Sequence, residues 1–495
     1  MSSWTRSAAV SVSAAVLAAA TLSGCVVGPN FTAPLPPKAT RYTRTALPGP
    51  GAPGRVTLDS ALPVPARWWS VLDAPQLDAA IHAALSGNRG LAAARSRLAQ
   101  AQELIGVARA SLYPHVDLDG SAGRVKYGPA FLGPEKLPPF NFYSIGPSVS
   151  YAFDYSGGAR RAVEQQRALA QSQDEQLQAA ALALSGNVAM QALTAASART
   201  QIDTLEAVLQ DDRRNLQLVQ DAFAAGAATR VDILNAQSQL TTDQTLLPPL
   251  RRQLSLATDA LALLVGEPPA DWAAPDFQLA QFHLPARLPL ALPSELAHRR
   301  PDIQAAEARL HAATAAVGVA DANRYPQINL TGNASLEATA LRSLFNASGV
   351  AAGLTAGLTA PLFDHGALRA KQRAAVDEMH AALADYQQAV LSAFRQVADA
   401  LQGLQHDQEL LASERTALQT STQNLDLTRQ SYAAGNSGVL QVLDAQRQNQ
   451  QARLGLVRAQ AQRLQDAVQL LLALGGRVPA ADAAVPATRA GASGA

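Results

Sequence analysis

The sequence predicts a mixed α/β membrane protein in which one structural unit is written twice. Three observations predict it. The stretches AFAAGAATRVDILNAQ (222–237) and SYAAGNSGVLQVLDAQ (431–446) share one shape, 209 residues apart. Four segments alternate large apolar with small or polar residues. Two long runs, 157–222 and 366–432, contain no proline.

Taken in order, the chain opens with Arg6 and an uncharged apolar run from Ala8 to Ala20. That run has the length of a signal-peptide core and falls short of the roughly 20 residues of a membrane span. It leads to Leu22-Ser23-Gly24-Cys25, which holds the single cysteine. Alone, Cys25 can form no internal disulfide and no metal cluster. The tetrapeptide resembles a bacterial lipoprotein signal, which implies a signal peptide over 1–24 and a lipid-modified Cys25. Val26 in place of an Asp implies sorting to the outer membrane. Residues 25–67 carry nine prolines and no periodicity, and read as an extended, lipidated tether.

The first repeat is expected over 68–266. A helical pattern runs from about 75 to 112 and is closed by Tyr113-Pro114. Strands follow near 115–127 and 143–154. In the second, Tyr143, Ile145, Pro147, Val149, Tyr151 and Phe153 alternate with Ser144, Gly146, Ser148, Ser150, Ala152 and Asp154. A long helix over 157–222 would reach roughly 100 Å at ~1.5 Å per residue. After the elbow, a return helix spans 229–265, broken or kinked at Pro248-Pro249.

After a linker over 267–292, the second repeat covers 293–476: a helix, strands near 327–337 and 350–363, a long helix over 366–432 and a return helix over 439–474. The long helix carries an apolar seam at steps of three, four and seven, including Leu401, Leu404, Leu411, Leu418 and Leu425, which marks coiled-coil packing. Tyr113-Pro114 matches Tyr325-Pro326, Phe153-Asp154 matches Phe363-Asp364, and Val265-Gly266 matches Leu474-Gly475, all in order. The tail over 477–495 is Ala/Gly-rich and reads as disordered.

Four alternating strands with one apolar face need somewhere to put that face and both edges. A soluble sandwich fits badly, because the opposite faces are small and polar and the neighbours are rods. A barrel in an outer membrane fits better. Six of nine tyrosines lie in or beside the strands, which suits an aromatic girdle, though tyrosine's own β-propensity accounts for part of that. Two chains would close eight strands around a side-chain-filled interior, and three would close twelve around a lumen. The fold expected is therefore a homotrimeric outer-membrane β-barrel, four strands per chain, continuous with a long periplasmic α-helical barrel.

With these features placed, the chain resembles the TolC-like outer-membrane efflux proteins, in their lipoprotein branch serving resistance-nodulation-division pumps. The residues that carry the resemblance are Cys25-Val26-Val27-Gly28-Pro29-Asn30-Phe31, Arg67-Trp68-Trp69 through Leu77, Arg299-Arg300-Pro301-Asp302-Ile303 and the two elbows. The resemblance implies a passive exit duct across outer membrane and periplasm. It implies partners as well: a periplasmic adaptor (membrane fusion) protein, an inner-membrane pump and outer-membrane lipid. Docking is then expected at the elbow residues Ala225, Gly226, Ala227, Ala434, Gly435 and Asn436. It also implies a periplasmic gate in which Asp232 of the first hairpin bonds Tyr432 of the second, although Asp232 equally suits a plain cap near a helix start. The family's Val-Asp-Val-Leu-Asp-Ala pattern reads here Leu440-Gln441-Val442-Leu443-Asp444-Ala445. One acidic position is replaced by Gln441, and Asp444 is left to attract cations at the mouth.

Other function classes find little support. Lys and Arg total 40 against 39 Asp and Glu, so no basic surplus points to nucleic acid. GxxxxGK[ST], HExxH and GxSxG motifs are missing, and no cofactor is implied. The eight histidines lack ligand spacing, and His298 and His311 read as solvated helix positions. A duct for type I protein secretion shares the expected fold. A lipid-anchored periplasmic coiled-coil scaffold or adaptor without a pore remains as another class, disfavoured by the strand alternation.

Overall fold

The structure, a computed structural model, describes residues 26–35, 39, 41–44, 57–127 and 138–479. Cys25, the signal peptide and the tail beyond 479 lie outside the described residues. The first half consists of β1 (Thr57–Asp59), a 3-10 turn at Trp68–Leu72, α1 (Pro75–Gly87), α2 (Arg89–Ala110), β2 (His115–Val125), β3 (Phe140–Phe153), α3 (Gly158–Ala224), α4 (Arg230–Gln244) and α5 (Leu247–Val265). The second half consists of β4 (Arg287–Pro289), α6 (Pro293–Arg299), α7 (Pro301–Ala322), β5 (Gln327–Ala338), β6 (Val350–Thr359), α8 (Ala367–Ala433) and α9 (Val439–Ala473). The two long helices, α3 and α8, have 67 residues each. The described residues of 1–34, 97–174 and 305–387 form one compact unit; those of 35–96, 175–304 and 388–495 form another.

In the first unit the four long strands make one antiparallel sheet in the order β2-β3-β5-β6. The register sorts the side chains. Val116 pairs with Val149, which faces Gly332 and then Leu354; Phe153 faces Ile328 and then Leu358. The alternate rows place Asp117, Ser148, Asn333 and Gly353 on the other face. The apolar face is uncovered in the single chain: Leu354 is 86% and Leu358 70% exposed, and Val116 and Leu118 are also exposed. Among the described residues β2 pairs only with β3 and β6 only with β5, so both sheet edges are open.

The matched Phe-Asp landmarks have a physical reason. Asp154 accepts from the backbone N–H of Ala159 (3.0 Å) and Arg160 (3.1 Å), at the start of α3. Asp364 accepts from Gly366 (2.9 Å) and Leu368 (2.7 Å), at the start of α8. Each carboxylate satisfies orphan N–H groups where a strand hands over to a long helix. Strand β6 stops at Thr359 rather than 363, because Pro361 cannot donate to a ladder.

The N-terminal segment is more than a tether. Arg161, on α3 and 3% exposed, donates to the carbonyls of Val27 (3.2 Å) and Gly28 (3.3 Å) and to Asn30 Oδ1 (2.7 Å). Phe31 stacks on His311 at 4.4 Å, and His311 Nε2 lies 2.9 Å from Glu164 Oε1. His311 is therefore a packed, partnered side chain and not a solvated one. Hydrogen bonds from His311 and Arg161 outweigh desolvation and hold the Glu164 carboxyl below its ordinary range.

The second unit holds the main core. Trp68 and Trp69, each 2% exposed, pack with Leu72, Leu77, Ile81, Leu193, Leu261 and Val468. The Trp68 indole donates to Ser185 Oγ (3.0 Å) and the Trp69 indole to Asp78 Oδ1 (2.6 Å). The expected linker is part of this core: Phe277 and Phe282 are buried in it, and β4 pairs in parallel with β1. Tyr42 also belongs here, donating to the Ala291 carbonyl at 2.9 Å and meeting Phe394 edge-on.

Two expected helices are interrupted. The helix over 75–112 divides at Asn88, which is extended (φ −62°, ψ 123°). Asn88 Oδ1 accepts from Leu91 N–H (2.9 Å) and its Nδ2 donates to the Leu264 carbonyl (2.9 Å), so one side chain starts α2 and ties α1 to α5. The first return helix divides between Gln244 and Leu247, with Pro248 and Pro249 in the first turn of α5, where their missing N–H groups cost nothing.

Candidate functional site

The two hairpin tips are built alike. At the first, Gly226 has φ +79°, its N–H bonds the Phe223 carbonyl (2.9 Å), and Ala227 N–H bonds the Ala222 carbonyl (2.8 Å). At the second, Gly435 has φ +78°, its N–H bonds the Tyr432 carbonyl (2.9 Å), and Asn436 N–H bonds the Ser431 carbonyl (2.9 Å). This closure needs a left-handed residue, which glycine supplies. Ala225, Gly226, Ala227, Ala434, Gly435 and Asn436 are all exposed. No neighbouring atom would meet a Cβ at Gly226 or Gly435, so the cost of Gly226→Ala or Gly435→Ala is conformational alone. Each is expected to destabilise its hairpin by about 1–2 kcal/mol. Thermal unfolding of the variants checks this; an unchanged midpoint would contradict the strained-turn assignment.

The return helices start differently. Thr229 caps α4 through Oγ1, which accepts from Asp232 N–H (3.2 Å), while Asp232 Oδ2 accepts from Thr229 N–H (2.8 Å) and Oγ1 (2.7 Å). These bonds hold the Asp232 carboxyl below its ordinary range. Counting from the elbow glycines, Gly438 stands at the position of Thr229 and Gln441 at that of Asp232, and Gly438 gives α9 no side-chain cap. The acidic position replaced by Gln441 is thus the partner of a capping box that the second elbow lacks.

Asp232 and Tyr432 are not hydrogen-bonded to each other among the described residues of the single chain; Asp232 Oδ2 serves the cap. Asp444 is not a bare charge. Its Oδ1 accepts from Arg447 Nη2 (2.5 Å) and its Oδ2 from Gln448 Nε2 (2.9 Å), which offsets the field expected of it. Asp444, Gln441 and Arg447 line a cavity of about 700 Å³ together with Asn235, Gln239 and Asn424. Amides and hydroxyls dominate its wall, so it suits water and hydrated solutes.

Further from the tips lies a set of buried polar side chains. Gln446, Asn449 and Gln201 are buried. Gln446 Nε2 donates to Asp212 Oδ1 (3.0 Å) and its Oε1 accepts from Asn215; Asn449 Nδ2 donates to Thr422 Oγ1 (2.8 Å). Gln201 Oε1 accepts from Arg458 Nε (3.1 Å). The Gln446 and Gln201 bonds join the two hairpins through polar side chains, beside an apolar cluster of Val219, Ile233, Ala236 and Leu443, while the Asn449 bond ties α9 to α8 within the second hairpin. The described residues contain no group of three or more His, Cys, Asp or Glu suited to a metal ion.

Known proteins share the sequence pattern and the fold of this chain. The family model described as outer membrane efflux protein matches residues 80–267 and 292–476. The pyoverdine export outer membrane protein OpmQ of Pseudomonas putida is 33% identical over 418 residues, 83% of this chain and 88% of that one. The toluene efflux pump outer membrane protein TtgI, from another strain of Pseudomonas putida, is 27% identical over 462 residues, 92% of this chain and 96% of that one. The outer-membrane channel OprN superposes with a TM-score of 0.83 at 27% identity, covering 91% of this chain and 99% of that one. The chain belongs to the outer membrane efflux protein family.

Proposed function

We propose that three copies of this chain close their sheets into a twelve-stranded barrel in the outer membrane, and that the trimer is the passive exit duct of a tripartite efflux system for small toxic compounds. The observation that carries this reading is the four-stranded sheet with one exposed apolar face, one polar face and two open edges. Lipid covers the apolar face, the polar face lines water, and neighbouring chains satisfy the edges. A pore-free scaffold would leave that face without a partner. In this reading the exposed elbows meet a periplasmic adaptor, which links the duct to an inner-membrane pump, and Cys25 carries the lipid anchor. Intact-mass analysis showing an unmodified Cys25 would remove the anchor from the account.

The two named relatives serve different small molecules, pyoverdine and toluene, which supports a duct that does not choose its cargo and favours efflux over protein secretion. The test is accumulation of a fluorescent dye in cells that have the cognate pump and adaptor and lack this chain. Restoring the chain is expected to lower accumulation, and restoring the chain without the pump is not. Equal accumulation with and without the chain would overturn the reading.

A further inference from the structure

We infer that each helical hairpin is closed by a pair of facing aspartates that share one proton, Asp212 with Asp243 in the first hairpin and Asp407 with Asp466 in the second, and that loss of that proton loosens the hairpin.

The geometry of the first pair leaves a place for the proton. Asp212 on α3 and Asp243 in the last turn of α4 are each 3% exposed. Asp212 Oδ1 accepts from Gln446 Nε2 (3.0 Å) and Asp243 Oδ2 from Gln239 Nε2 (2.8 Å). Asp212 Oδ2 is buried with no hydrogen-bond partner. Two ionised carboxylates could give that oxygen nothing to bond, since both only accept. One proton between them supplies the missing donor and removes one of two buried like charges. The other charged groups acting on Asp212 are Asp211, which also opposes its ionisation, and Arg213, which favours it as the smallest influence.

The second pair repeats this signature. Asp407 on α8 is 7% exposed, and its Oδ2 is likewise buried without a partner. Asp466 on α9 accepts from Gln462 Nε2 (3.1 Å), and its Oδ2 lies against Gly403, one turn before Asp407. Arg463 acts on this pair and favours the ionised form, but Arg415 acts on Arg463 in turn, and burial together with Asp466 outweighs it. In both pairs desolvation first and the facing aspartate second push one carboxyl, that of Asp212 or Asp407, up to about 7.

Each pair links the outgoing helix to the return helix of one hairpin. Asp212 and Asp243 lie 14 residues before and 17 after Gly226; Asp407 and Asp466 lie 28 before and 31 after Gly435. At ~1.5 Å per residue the two rungs stand roughly 20 and 40 Å from their tips. They do not occupy matching places in the two halves, where Ser421 and Ala198 stand opposite Asp212 and Asp407. The two hairpins are therefore fastened at two different heights.

The direction of the pH effect follows from proton counts. Between the ordinary aspartate value near ~4 and about 7, the folded hairpin holds a proton that the unfolded chain has released. Stability contributed by each pair is therefore present at acidic pH and falls as pH rises through that window, by up to about tenfold in the opening constant per pH unit. Above it, two facing carboxylates push α3 from α4 and α8 from α9.

Asp212→Asn and Asp407→Asn test this in the full-length protein, because asparagine is isosteric and carries the missing donor without a titratable proton. Amide hydrogen exchange in the hairpins, corrected for its intrinsic pH dependence, is expected to rise between about pH 5 and about pH 8 in the parent protein. Each variant should lose that rise in its own hairpin only, and the infrared carbonyl band of protonated carboxyl seen at about pH 5 should shrink with each substitution. A pH slope or a carboxyl band unchanged in the variants would overturn the inference. So would failure of Asp212→Asn and of Asp243→Asn to fold at about pH 5, where the shared proton already removes one of the pair's two charges, as either asparagine does. These readouts are independent of pore formation and of the number of chains in the duct.

Discussion

Trp68→Ala is expected to destabilise the protein by about 3–5 kcal/mol, the cost of deleting a large buried aromatic and leaving its cavity. The Trp68 ring is 2% exposed, meets Trp69 edge-on at 5.9 Å, and sends its indole N–H 3.0 Å to Ser185 Oγ on α3. The substitution removes apolar contact with the core and leaves the Ser185 hydroxyl with only its bond to the Leu182 carbonyl (2.8 Å). Because this core joins α1, α3, α5 and α9, its loss should be global rather than local. Denaturant or thermal unfolding of the assembled protein measures it. A change under about 1 kcal/mol would show that the tryptophan pair is peripheral.

Arg300→Ala is expected to cost about 2–3 kcal/mol, the range for charged hydrogen bonds whose partners are left behind. Arg300 is buried and grips Asp302 with two bonds, at 3.0 and 2.7 Å. It also donates to the Ala473 carbonyl (2.9 Å) and to Gln396 Oε1 (2.9 Å). The Ala473 carbonyl is one of the orphan acceptors at the end of α9, so a cation there also suits the helix dipole. The estimate stays below the range for a fully buried pair because the Asp302 side chain is 45% exposed. Arg300→Lys should recover less than half of the loss, since an ammonium cannot reproduce the planar fork. Full recovery by lysine would show that charge alone matters there.

These two sites show where sequence reasoning reaches and where it stops. The strands were legible because a half-buried strand writes a period of two, as in the run from Tyr143 to Phe153. The elbows were legible because a left-handed closure demands glycine and the closure occurs twice. The long helices were legible from the absence of proline. Arg300 drew notice as part of a motif, but its bond to Ala473 lies 173 residues away. Gln446 reaches Asp212 across 234 residues, so nothing local distinguishes it from a solvated glutamine. The break at Asn88 depends on a carbonyl of Leu264, and the grip of Arg161 on Val27, Gly28 and Asn30 depends on a folded partner. At the tips, Asp232 also serves a capping box, a role that Thr229 three residues earlier signals locally.

The central claim is that copies of this chain enclose a water-filled duct, and conductance in planar lipid bilayers tests it most directly. Purified full-length protein, with three chains per particle by native mass measurement, is expected to insert and pass ions in discrete steps. Asp444→Ala should change cation preference only modestly, because Arg447 already offsets that charge. Insertion without conductance, or a folded monomer as the stable species, would contradict the account.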